Sequence, residues 1–64
     1  MPKTDVKVKL VGTDGNVFAL GGKVSKALKQ GGYPELASEF TTALFQCHSY
    51  DDALQLMMDY VEVT

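Results

Sequence analysis

Arginine is absent from this chain, cysteine occurs once, and no apolar run is long enough for a signal peptide's hydrophobic region or a membrane span. Each absence narrows the reading. Bidentate contacts to bases and phosphates rely heavily on arginine, so sequence-specific nucleic-acid recognition is not expected. A single thiol, Cys47, permits no intramolecular disulfide, and the missing apolar run leaves a cytoplasmic protein with no membrane association as the expectation. No repeat, linker or low-complexity segment divides the 64 residues, which are read as one domain, 1–64. Basic residues are missing from the second half altogether. Residues 1–32 hold all six lysines with Asp5 and Asp14, a balance of +4, whereas residues 33–64 hold Glu35, Glu39, Asp51, Asp52, Asp59 and Glu62, a balance of −6.

What is present is the composition of a folded domain, 45% hydrophobic and 22% charged. A chain this short buries only about 60% of the surface its unfolded form exposes. Without a disulfide or metal its core supplies only ~3–5 kcal/mol net. That thin margin favours self-association or docking on a larger protein, and a homodimer is one partner to expect. If the fold keeps the two charged halves apart, one face attracts acidic partners and the other basic ones, or two copies attract each other head to tail. If it interleaves them, the charges cancel locally.

Val6, Val8 and Leu10 alternate with Lys7 and Lys9, the two-residue period of a half-buried strand over 5–11. Its outward lysines discourage edge-to-edge aggregation. The composition of 12–16 predicts a turn. Two readings of the next segment stand. In the preferred one, Asn16 caps a continuous helix carrying Val17, Leu20, Val24, Ala27 and Leu28 at helical spacing and ending at Gly31 and Gly32. In the other, Asp14-Gly15 makes a hairpin into a strand over 17–20, with a shorter helix from Lys23. Gly21 and Gly22 count against the continuous helix at ~1 kcal/mol each. In its favour, the stripe passes through them unbroken, and paired glycines admit close approach of another backbone.

Pro34 and Glu35 open a second helix over about 34–47, with Leu36, Phe40, Ala43, Leu44 and Cys47 on one face. Ser49 caps a third, with Asp52 three residues on and Leu54, Met57, Met58 and Val61 as its stripe. The closing residues Tyr60 to Thr64 alternate and are strand-prone. An isolated strand cannot satisfy its own backbone, so the two chain ends are expected to pair. The expected fold is α+β: a small β-α-α-α-β domain whose ends form a two-stranded sheet with three helices packed on one side.

No constellation carries chemistry. Cys47 and His48 are neighbours, and adjacent helical residues point about 100° apart, so thiol and imidazole do not face each other. One cysteine and one histidine cannot close a zinc site without carboxylates or a second subunit. Lys23 follows Gly22, but Val17 stands where a phosphate-binding loop needs its first glycine, and Val24 where it needs serine or threonine. Asp14-Gly15-Asn16 opens like a calcium loop and then loses the ligand pattern at Phe18. Gly12-Thr13-Asp14-Gly15 matches an RNA-clamping loop in four residues only and follows a strand, where that loop joins two helices. Asp51 and Asp52 read as helix-start partners in place of an acid/base pair. No catalytic, cofactor-binding or metal-binding residue is therefore assigned.

Two surfaces remain. Glu35, Glu39, Asp51 and Asp52, with Phe45 and Tyr50, form a candidate acidic and aromatic face for a protein partner. The aromatics and methionines Phe18, Tyr33, Phe45, Tyr50, Met57 and Met58 exceed what three short helices bury, and such residues anchor interfaces. Lys23, Lys26 and Lys29 form the alternative, a weak nonspecific nucleic-acid face.

The stretch Val8-Lys9-Leu10-Val11-Gly12-Thr13-Asp14-Gly15-Asn16-Val17-Phe18-Ala19-Leu20, then Val24-Ser25-Lys26-Ala27-Leu28 and a glycine break, resembles a family of short uncharacterised proteins of bacterial genomes, phages and mobile elements. The similarity extends through Tyr50-Asp51 to Tyr60-Val61-Glu62-Val63. Members usually have fewer glycines near positions 21 and 22, where this chain departs. The resemblance implies no activity and no catalytic residue. It implies only a context, that of a small, phage-borne accessory protein. Within that context the absence of a reactive site, the small size and the bipolar, aromatic-rich exterior lead to the expectation of a protein-binding accessory or inhibitor of a host complex in a phage or mobile-element setting.

Overall fold

The computed structural model describes residues 2–10 and 16–64. The turn expected at 12–16, apart from Asn16, and the last residue of the strand expected at 5–11 lie outside the described residues. Five elements follow in chain order: β1 (Lys7–Val8), α1 (Val17–Gln30), α2 (Pro34–Leu44), α3 (Tyr50–Tyr60) and β2 (Glu62–Val63). β1 and β2 pair in parallel, with Lys7 opposite Glu62 and Val8 opposite Val63. Parallel neighbours require a long crossover, and here the three helices are that crossover. α1 packs on β1 and α3 on β2, while α2 contacts both other helices and neither strand. The fold is thus the expected α+β arrangement, with the chain ends closing it.

The first helix is continuous. Asn16 Oδ1 accepts the Phe18 N–H at 2.9 Å and fixes its start. Leu20, Val24 and Leu28 then fall on the buried face. The paired glycines have different roles. Gly21 is buried where a Cβ would collide with the Leu44 side chain of α2, whereas a Cβ at Gly22 would meet open space. Close packing against α2 therefore accounts for the first glycine and not the second. The helix ends in a Schellman motif, in which Gly32 N–H reaches the Lys29 carbonyl at 3.2 Å and Tyr33 N–H the Leu28 carbonyl at 2.8 Å. Gly32 supplies the left-handed residue this needs, at φ 92°.

α2 starts at Pro34 as expected but stops at Leu44, three residues short of the expected end. Gln46 N–H bonds the Ala43 carbonyl and Cys47 N–H the Leu44 carbonyl, at 3.0 and 3.1 Å. These i to i−3 bonds tighten the last turn and release the chain toward α3. Ser49 Oγ accepts the Asp52 N–H at 3.1 Å, the cap expected for α3. Tyr60, expected in the terminal strand, is instead the last residue of that helix and is buried. Its ring meets Phe40 edge-on at 5.4 Å, and burying an aromatic body there outweighs a strand preference. Ala53 and Tyr60 complete the buried side of α3, and Met58 turns outward.

β1 covers less of the chain than the strand expected at 5–11, because its partner β2 is only two residues long. The residues before it still have a structural task. Lys3 N–H donates to the Asp59 carbonyl and Thr4 Oγ1 to the Tyr60 carbonyl, both at 2.8 Å. Those are carbonyls at the end of α3, which has no basic residue in its last turn. The amino-terminal segment therefore caps the helix that precedes β2. Phe40, Leu28, Met57, Val24 and Val61 are the largest fully buried side chains, and they draw on all three helices and the run into β2.

Candidate interaction surface

The acidic residues do not gather. Glu35 stands in the first turn of α2, and Asp51 and Asp52 in the first turn of α3, where their charge favours the helix start. α3 runs back along α2 to bring Tyr60 beside Glu39, so Asp51 and Asp52 sit at the far end of α2 from Glu35. Glu39 is engaged within the fold. Its carboxylate accepts the Tyr60 hydroxyl at 2.5 Å and lies 3.8 Å from Lys3 Nζ. Lys3 also sits over the Tyr60 ring, 5.2 Å from its centroid. Burial, then the bond to Glu39, then the Glu39 and Asp59 charges push the Tyr60 phenol up to about 12.

Two exposed aromatic residues do gather, Phe18 and Phe45, beside lysines of α1. Phe45, at the end of α2, is 70% exposed, and Phe18, in the first turn of α1, is 57% exposed. Their centroids lie 5.8 Å apart at an interplanar angle of 33°. The pair closes one end of an open groove of about 460 Å³ between α1 and α2, whose walls include Gly21, Leu44 and Thr41 and whose rim carries Lys26 and Lys29. A second groove, about 310 Å³, flanks the other side of α1 and is bordered by Lys7, Lys9, Lys23 and Lys26. Among the described residues no acidic one lines either groove. Among the described residues the ion pair formed is Lys3 with Glu39, and Lys23 Nζ donates to the Lys9 carbonyl at 2.6 Å. Among the described residues the charge separation seen along the chain survives at these grooves, whereas the sheet sets Lys7 opposite Glu62 and Lys3 pairs with Glu39.

Tyr50, also proposed from the sequence, is 45% exposed at the start of α3 and does not line the α1–α2 groove. Phe18 was not among the site residues expected from the sequence. A signal for it exists: Phe18, Gly22, Ser25 and Lys29 are spaced four, three and four residues apart, one face of a helix beside the buried stripe. A smaller apolar cleft of about 300 Å³ lies between Leu10, Leu54, Met58 and Val63.

Cys47 is half-buried with its Sγ 3.6 Å from the Ala43 carbonyl, and His48 is exposed. Among the described residues no group of three or more His, Cys, Asp or Glu side chains is placed to hold a metal ion. No described helix is long and apolar enough to cross a membrane. No protein-family model, curated protein or solved structure matches the chain.

Proposed function

We propose that this chain is a non-enzymatic protein-binding module, and that its contact surface is the α1–α2 groove anchored by Phe18 and Phe45. The observation that carries the reading is the exposure of two phenylalanines, side by side, above a groove with apolar walls and a cationic rim. Burying two aromatic rings is worth far more to a complex than any single exposed charge pair. Of the acidic and aromatic face expected from the sequence, Phe45 is retained. Glu35, Glu39, Asp51, Asp52 and Tyr50 give it less support, being spread over the helix starts and the Tyr60 contact. The role of accessory protein or inhibitor on a host complex draws on the small size and the charged, aromatic exterior, and its phage or mobile-element setting rests on the sequence resemblance alone.

A photo-crosslinking residue in place of Phe45, expressed in the native host, tests the reading. It is expected to join the chain to one protein, whereas the same residue at exposed Gln55 on α3 is not. Equal labelling from both positions would remove the groove from consideration. The second reading, nonspecific nucleic-acid binding, draws on Lys23, Lys26 and Lys29 and gains Lys7 and Lys9 from the neighbouring groove. It predicts retention of single-stranded DNA at low ionic strength with a salt-dependent midpoint. Absence of a gel shift at low salt ends it.

A further inference from the structure

Resting on the reading of the α1–α2 groove as a protein contact, we propose that its occupant is an acidic amphipathic helix of the partner. Charge decides the sign of the ligand. Lys26 and Lys29 stand on the groove's rim, Lys7, Lys9 and Lys23 continue the field around α1, and among the described residues no carboxylate lines either groove. A ligand of negative charge gains along the whole of this surface, and a positive one is repelled by it.

The walls decide the rest. Gly21, Leu44 and the two phenylalanine rings present carbon to the ligand, so a purely polar anion would leave them wet. A helix laid between two helices offers apolar side chains at i, i+3, i+4 and i+7 to such a groove while its other faces carry acidic residues to the lysine rim. Nucleic acid fits less well. Phe18 and Phe45 tilt against each other and provide no parallel faces between which a base could stack, and the chain has no arginine to clamp phosphates.

The test uses the full chain and a fluorescent synthetic peptide, glutamate-rich on one face with leucine and phenylalanine along the other, followed by anisotropy. Binding is expected to weaken with added salt, and K26E/K29E is expected to reduce affinity on the order of tenfold. F18S/F45S should reduce it at least as much, while Q55K, on α3 and lining neither groove, should not. Amide shifts in the labelled protein are expected at Phe18, Gly22, Lys26, Lys29 and Phe45. Equal affinity for the charge-inverted, lysine-rich peptide would overturn the proposal, as would binding unchanged in K26E/K29E. Preference for a single-stranded oligonucleotide over the acidic peptide would overturn it in favour of the nucleic-acid reading. Concentration-dependent sedimentation of the protein alone, abolished by K26E/K29E, would overturn it in favour of a second copy. If the peptide fails while the Phe45 crosslink to one host protein persists, the acidic helix falls and the protein-binding reading stands.

Discussion

At the scale of single residues, the junction of Lys3, Glu39 and Tyr60 shows how a few polar contacts hold the chain's start against its end. The Tyr60 phenol sits in a part-buried site beside a carboxylate, both of which oppose its ionisation. Because its folded pKa lies near 12 and its unfolded value near 10, the native state holds the proton more tightly. The contribution is complete below pH 10 and is lost as the pH rises from 10 to about 12. Chemical denaturation across that interval should show stability falling for the wild type and a shallower fall for Y60F. Replacing Glu39 by glutamine should bring the Tyr60 ring resonances to titrate at lower pH. Thr4, also buried, donates to the Tyr60 carbonyl and accepts the Val6 N–H at 3.2 Å. T4V leaves both groups without that partner and should cost about 1–3 kcal/mol by urea unfolding.

At the scale of elements, α1 carries the clearest contrast. Glycine weakens a helix interior by about 1 kcal/mol relative to alanine, so each glycine of the pair needs a packing reason or is a removable weakness. Gly21 has such a reason in Leu44, and Gly22 has none in the fold itself. G22A should therefore raise stability by about 0.5–1 kcal/mol, and G21A should lower it by about 1–3 kcal/mol. In an L44A background the cost of G21A should shrink, because the collision is with that side chain. Thermal unfolding of the four variants checks both signs.

The whole molecule measures 27 × 25 × 20 Å and closes on itself through two residues of parallel pairing. So small a body depends on few large side chains. Phe40 is fully buried and touches the Tyr60 ring that the amino-terminal segment clasps. F40A should cost about 3–5 kcal/mol, comparable to the entire net stability of about 3–5 kcal/mol expected of a core this size. Circular dichroism at room temperature should then show a largely unfolded chain.

Local signals in the sequence determined much of this. Asn16, Ser49 and Pro34 mark helix starts by bonds or geometry within a few residues, and Gly31-Gly32 marks an end the same way, so the three helices and their order were legible. The strand-prone ends also implied their pairing, since backbone groups must find partners. Contacts between segments far apart in the chain decided what remained. Leu44 separates the roles of Gly21 and Gly22, Glu39 and Phe40 draw Tyr60 into α3, and the packing of α1 on α2 sets Phe18 beside Phe45. A one-dimensional pattern specifies what a residue does to its own backbone. Which distant surface its side chain meets depends on how the helices pack.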